Sequence, residues 1–529
     1  MTQGEKLLHR LEELNAIGVA LSSERDIDRL LETILVAAQR ITNADAGTLY
    51  LYEPEHKQLR FSIMRTDSLG TAQGGTSGNA IKPYPIHLID KDGKPNHSMV
   101  VAHVVLDDVT VNIADAYTAE GFDFSGTKSF DKKNCYRSTS FLAVPMKNHE
   151  NEIIGVLQLI NAMDRESGEI VAFSGDDQRL LESLASQAAI ALTKQRLIKQ
   201  LEELFKALIN LINAAIGAKS PYTGGHCARV PELTMLLAEA ANRSKQGALK
   251  DFNLTDKDRY ELEIAGLLHD CGKIATPVHV VDKSTKLETI FDRIDLIDTR
   301  FEVLKRDAEI AMLKEEKTSE EYAAMARQLD DDREFLRRSN IGSEKMQDAD
   351  IARVQQIAQY QWRNAEGAQA DFLNAEELEN LTIRAGTLTK AEREIINYHI
   401  NLTIQLLEAL PWPNHLKRVP EYAGGHHERM DGKGYPKGLT RDQMSIQARV
   451  MGIADIFEAL TAKDRPYKEG KTLTESLAIL GKFKVNGHID PDLFDVFIRE
   501  KVYLAYARQF LTPEQIDEVD ESKIPGYIP

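Results

Sequence analysis

The chain has few of the features that would place it outside ordinary water-filled compartments. Its 529 residues include three cysteines, Cys135, Cys227 and Cys271, and none forms a CxxC pair. That excludes a disulfide scaffold and fits a reducing cytoplasm. No apolar run approaches the roughly 18 residues of a membrane span, and the opening MTQGEKLLHRLEEL is an amphipathic helix rather than a signal peptide. Basic charge is also short: 65 Lys and Arg stand against 82 Asp and Glu, a net charge of -17. Such a chain has no long-range attraction for DNA or an anionic membrane. An anionic substrate would have to be held by metals and local Lys or Arg. Proline is absent between Pro277 and Pro411, which leaves a long helix-compatible stretch unbroken.

What the chain does have is histidine and aspartate in a suggestive arrangement. Near the C-terminal end it reads HHERMDGKGYP, His426 to Pro436, and upstream LLHDCGK carries the His269-Asp270 pair. With His226 in SPYTGGHCARV, His399 in IINYHINL and Asp455 in ARVMGIADIFEAL, seven ligands are available for two divalent ions. Each alone is weak, because a lone histidine on an apolar face is usually a hydrogen-bonded core residue. Together they differ: His426 and His427 are adjacent imidazoles, and Asp455 is a carboxylate in an apolar helix that needs a partner. Cys227 and Cys271 sit beside ligands, yet small buried core residues are the expected reading.

The length predicts more than one core. Between residues 20 and 195, AGTLYLYEP pairs with KQLRFSIMR and FLAVPMKN with EIIGVLQLINAMD across the polar HENE turn, predicting an antiparallel sheet flanked by helices. A loop-rich stretch from Thr66 to Thr139 separates the hairpins. Residues 176–216 read as one long helix with the stripe Leu180, Leu184, Ala188, Leu192, Leu197, Leu201, Leu204, Leu208 and Leu211. It fits a parallel homodimer or a helix packed within the chain. From Leu208 to Tyr506 the pattern is helical apart from the motif loops. Residues 506–529 form a tail.

IADAYTAEGFDFSGTKSFDKKNCYRSTSFLAVPM followed by IIGVLQLIN resembles GAF domains of cyclic-nucleotide phosphodiesterases and bacterial sensors. In that family a spaced Asn-Lys, Phe and Asp-Glu pattern is linked to cyclic-nucleotide binding. Asn161, Phe173 and Asp177 match, while Ala162 and Gln178 replace the Lys and Glu. Both a sensor of an unknown small ligand and a dimerisation module are compatible with this block.

YTGGHCARV, LLHDCGK, HHERMDGKGYPKGL, ARVMGIAD and DRPYK together resemble the HD-GYP family of HD-domain metallophosphohydrolases, over residues 205–505. The resemblance implies a multidomain chain: an α+β GAF domain, a long connecting helix and an all-α HD-GYP domain. It also implies that His226, His269, Asp270 and Asp455 hold one metal, that Asp270 bridges to a second held by His399, His426 and His427, and that Lys273 serves catalysis and substrate beside them. Tyr435, Arg465 and Lys468 would contact substrate. The implied reaction is hydrolysis of cyclic di-GMP to pGpG and GMP by a hydroxide bridging two ions, iron or manganese foremost and nickel as a third option. A weakly catalytic receptor or scaffold and a hydrolase of another cyclic dinucleotide are the alternatives.

Members with a third metal carry Glu one turn before the first His, where this chain has Tyr222, so two ions are expected. Ser220 stands where members commonly have Asp. His399 follows His269 by 130 positions, far more than in the family. Residues 289–385 therefore read as an inserted helical hairpin or bundle. Ile290, Ile294, Ile297, Phe301, Leu304, Ala308 and Ala311 would form its seam, either in a charged surface arm or in a platform for a protein partner.

Overall fold

The computed structural model describes residues 3–24, 26–244, 247–342, 345–464 and 470–528, with the side chains of residues 3–9, 11 and 222 left aside. The chain divides into two units, 1–205 and 206–529. Among the described residues no helix is long and apolar enough to cross a membrane.

The first unit begins with α1 (Gln3–Ser23) and α2 (Ile27–Thr42). It continues through β1 (Ala44–Glu53), β2 (Gln58–Thr66), β3 (Thr71–Gly74), β4 (Ile86–His87), α3 (Val100–Asp107), β5 (Val111–Ile113) and α4 (Ser125–Asn134) to β6 (Phe141–Lys147), β7 (Ile153–Met163) and β8 (Ile170–Val171). Its sheet runs in the order β3-β2-β1-β7-β6-β5, with β4 added to β2 and β8 to β7. Both expected hairpins form, β1 with β2 and β6 with β7, and all the pairings are antiparallel. Alternation decides which core each strand residue enters. Leu49, Leu142, Val144, Leu157 and Leu159 face α1, α2 and the start of α5 (Gly175–Lys219). Tyr50, Phe141, Ala143 and Val156 face α3 and the following segments. The stretch from Thr66 to Thr139 is thus more ordered than a loop-rich reading suggests, because the apolar run Val100–Val104 folds as α3 and covers the second sheet face.

The stripe on α5 has two fates. Leu180, Leu184, Ala188 and Leu192 are buried in the first unit, so this half packs within the chain. Leu197, Leu201, Leu204, Leu208 and Leu211 are 49–67% exposed.

The second unit receives the end of α5 and then α6 (Pro221–Arg243), α7 (Asp256–Leu268) and α8 (Val278–Val281). Ser220 caps α6, and its hydroxyl donates to Asp282 Oδ1 at 2.6 Å. Next come α9 (Ile294–Leu313), α10 (Ser319–Asn340), α11 (Asp348–Ile357), β9 (Gln361–Arg363), β10 (Gln369–Asp371) and α12 (Ala375–Leu381). Helices α9 and α10 form the expected hairpin around Ile297, Phe301, Leu304, Leu329 and Leu336, a core of its own that also takes Val354, Phe372 and Leu381. Ile290 is 88% exposed and falls outside that seam. The β9/β10 hairpin departs from an all-helical reading: Asn364 and Gly367, at φ 79°, make a tight turn that helix periodicity does not reveal.

The root of this segment is fixed by the buried Lys283. Its ammonium bonds Asn380 Oδ1 at 2.7 Å and Glu392 at 2.8 Å. Glu392 lies in α13 (Lys390–Asn397), which leads into α14 (His399–Glu408). The unit closes with α15 (Val419–Gly424), α16 (Ile446–Thr461), α17 (Leu473–Val485), α18 (Pro491–Arg499) and α19 (Val502–Phe510), with α6 packed between α7 and α16.

Candidate metal centre

The seven expected ligands arrive from separate elements of the second unit. His226 projects from α6, and His269 and Asp270 end α7. His399 opens α14, His426 and His427 follow α15, and Asp455 lies in α16. All but His427 are buried. A turn places Gly272 so that an added Cβ would stand 2.1 Å from the His399 carbonyl oxygen. Only glycine lets α7's end and α14 approach this closely.

Donor atoms converge in overlapping groups: His226, His269 and Asp270; His269, His426 and Asp455; His399, His426 and His427. Asp270 divides its carboxylate between them. Oδ2 lies 3.2 Å from His226 Nε2 and 3.3 Å from His269 Nε2, while Oδ1 lies 3.2 Å from His399 Nε2. Asp455 Oδ1 is 3.0 Å from His226 Nε2, and His427 Nε2 is 3.3 Å from His399 Nε2. Tetrahedral donors about 2.0–2.1 Å from a shared ion stand roughly 3.3 Å apart, so these spacings suit ligation.

Four of the five rings are held through Nδ1. His269, His399 and His426 are bonded through Nδ1 to the carbonyls of Gly266, Ile396 and Ala423, at 2.7, 2.5 and 2.6 Å. His226 Nδ1 bonds the carboxylate of Glu458. With the Nδ1 proton engaged, each Nε2 lone pair faces inward. Among the seven ligands, two buried atoms have no hydrogen-bond partner, Asp270 Oδ1 and His426 Nε2. Orphaned acceptors in a buried pocket are costly unless a cation meets them, so the residues present fit a divalent ion.

The electrostatics agree. Burial raises the Asp270 carboxyl, but Lys273 and the neighbouring histidines outweigh it and hold the group well below its ordinary range. Burial and His269 drive His426 down to about 4, and burial with His426 drives His427 well below its usual value. Both imidazoles stay neutral near pH 7, as a ligand must. His226 differs: Asp270, Asp455 and Glu458 overcome burial and raise its affinity for a proton, so a metal binding there must displace that proton. Burial pushes the thiols of Cys227 and Cys271 up to about 12 and 11, so they remain protonated core residues.

Lys273 Nζ bonds Asp270 Oδ2 at 2.6 Å. The Tyr435 ring stacks on His427 at 4.9 Å, and burial raises its hydroxyl to about 12. Arg465 and Lys468 lie outside the described residues, as does the side chain of Tyr222. In the first unit, Asn161, Phe173 and Asp177 make contacts within the fold. Asn161 accepts from Thr139 N and donates to the Arg137 carbonyl and Tyr136, Phe173 is in the helix-side core, and Asp177 accepts from Ser174 and Arg10.

Sequence reasoning missed Glu458. It is fully buried, binds His226 Nδ1 and accepts from Arg229 Nε at 2.7 Å. Its spacing of three from Asp455 on one helix was the available signal, since i and i+3 share a face. Glu428 was also passed over: its buried carboxylate accepts from the backbone of Lys437 and Leu439 and fixes the loop that presents Tyr435.

The family model for the GAF domain matches residues 26–192, and two for the HD domain match 223–393 and 375–493. The chain carries a GAF domain followed by an HD domain. Over 111 residues it is 37% identical to the 3′3′-cGAMP-specific phosphodiesterase 3 of Vibrio cholerae, a match covering 21% of this chain and 23% of that protein. Over 74 residues it is 43% identical to a cyclic di-GMP phosphodiesterase of Pseudomonas aeruginosa, covering 14% and 17%. The chain therefore matches less than a quarter of the length of either relative. A GAF domain from an Acinetobacter phosphoenolpyruvate-protein phosphotransferase aligns with 38% of this chain and 99% of its own, at 16% identity and a TM-score of 0.27. An HD domain implies dependence on divalent metal, and the buried His and Asp groups of this HD domain could bind it.

The Glu458 contact generates a test. Glu458→Gln removes the charge that orients His226, and metal affinity of the full chain is expected to fall about 10- to 100-fold with helicity unchanged. Isothermal titration with circular dichroism measures both, and unaltered affinity would show that Glu458 does not orient a ligand.

Proposed function

We propose that this chain is a two-metal phosphodiesterase that hydrolyses cyclic di-GMP to pGpG and GMP. The observation that carries the reading is the split Asp270 carboxylate, one oxygen beside His226 and His269 and the other beside His399. His226, His269, Asp270 and Asp455 would hold one ion, and Asp270, His399, His426 and His427 the other. Iron or manganese suits this ligation, with nickel third. When bound, the pair supplies Lewis acidity at the phosphoryl oxygens and a nucleophile at neutral pH.

The chain's own groups then bind and orient. Lys273 puts a positive charge beside Asp270 within reach of a phosphate oxygen. A cavity of about 410 Å³ opens beside His426 and His427, with Lys433, Tyr435 and His488 in its wall. A second, of about 490 Å³, opens beside His399 with Thr276 and Tyr398 in its wall. Two recesses adjoining one centre suit a substrate with two bases and two phosphates, and Tyr435 offers an aromatic face to a base. The identity shared with a cGAMP-specific relative supports the hybrid 3′3′-cGAMP as the alternative substrate.

Steady-state turnover of both dinucleotides by metal-loaded protein tests the reading. Asp270→Ala should fall to background because it removes a ligand of both ions. Lys273→Ala should keep its metal and lose on the order of a hundredfold in turnover, the cost of one charge-stabilising donor. Turnover retained by Asp270→Ala would place the chemistry elsewhere.

We also infer a parallel dimer through the exposed half of α5. Leu197, Leu201, Leu204, Leu208 and Leu211 repeat at steps of 4 and 3, the spacing of a coiled-coil seam, and a second copy of the same helix matches that repeat in register. Ligand binding to the GAF domain would reach the HD domain along this helix, and the inserted segment 289–385 offers a protein partner a separate surface. Sedimentation should give the mass of two chains for the wild type and of one for Leu201→Asp/Leu204→Asp. A monomeric wild type would remove the dimer from the account.

A further inference from the structure

A second group of metal-ligating side chains lies in the GAF domain and has no part in the chemistry above. It joins His97, in the segment before α3, to His103 and Asp107 on α3. His103 and Asp107 are four residues apart and share one helix face, a common surface pairing on its own. The third donor changes its meaning. His97 Nδ1 stands 3.3 Å from His103 Nδ1, and Asp107 Oδ2 stands 3.0 Å from the first and 2.6 Å from the second. The 3.3 and 3.0 Å separations are near the spacing of donors around one ion, and the 2.6 Å pair is a hydrogen bond that an ion would replace.

The arrangement is held from behind. Asn96 donates its backbone N–H to the Leu88 carbonyl at 2.8 Å and its side chain to the His87 carbonyl at 3.0 Å. On the other side the Ser98 carbonyl accepts from Asp123 N at 2.8 Å. His97 is therefore fixed through both of its neighbours although it lies outside a helix. The His103 ring meets the edge of Phe122 at 5.3 Å, which limits its rotation. The three side chains are 28–48% exposed, so an ion can enter from solvent.

We propose that His97, His103 and Asp107 form a metal-binding site in the GAF domain for a borderline divalent transition ion such as Zn²⁺. Two neutral imidazoles and one carboxylate favour ions of this class over Mg²⁺ or Ca²⁺, which take oxygen ligands. Three protein donors would leave a position open to water or an exogenous donor.

Zn²⁺ content of the full chain after equilibration and gel filtration tests this. The wild type should retain one more ion per chain than His97→Ala/His103→Ala, and than His97→Ala alone, which trims only a half-exposed side chain. Asp107→Asn should weaken the same uptake at least tenfold. A chain carrying His426→Ala/His427→Ala in the HD domain should still take up the GAF ion, which keeps this result independent of the phosphodiesterase reading. Equal Zn²⁺ content in wild type and His97→Ala, or full affinity in Asp107→Asn, would overturn the proposal.

Discussion

The HD domain is organised around one buried carboxylate of which the fold hydrogen-bonds only one oxygen. Asp270 lies at the end of α7 with about 1% exposure, and its Oδ1 has no hydrogen-bond partner. Lys273 offsets the burial cost through Oδ2, and a metal cation would meet Oδ1. Around it the fold supplies Lys273 and four imidazoles whose Nδ1 atoms are already engaged, so their lone pairs point inward. The close approach at Gly272, the turn after α15 and the packing of α6 against α16 all place ligands on this one group.

The inserted segment fits the same constraint. Separating His269 from His399 by 130 positions would loosen the site if the ends of the insertion were free. Instead Lys283 clamps Asn380 and Glu392, and the helix containing Glu392 leads directly to His399. The segment keeps its own core around Phe301 and Leu336, so it adds a surface without drawing on the packing of the site.

Much of this was legible in the residues. Hairpin alternation gave β1/β2 and β6/β7, and the motif histidines and aspartates do converge as a group. Three things were not legible. The stripe on α5 has uniform spacing, yet only burial by α1, α2 and the sheet separates Leu180–Leu192 from the exposed leucines that follow. Glu458 is one acidic residue in an apolar helix until α6 brings His226 against it. His97, His103 and Asp107 look like ordinary surface polar residues until the 96–98 segment folds over α3.

The central claim is that Asp270 is shared between two ions. Anomalous diffraction at the edge of the bound metal, on crystals of metal-loaded protein, tests it most directly. Two peaks per HD domain are expected about 3.5–4 Å apart, one beside His226, His269 and Asp455 and the other beside His399, His426 and His427, with one Asp270 oxygen on each. A single peak, or two peaks of which only one touches Asp270, would contradict the account.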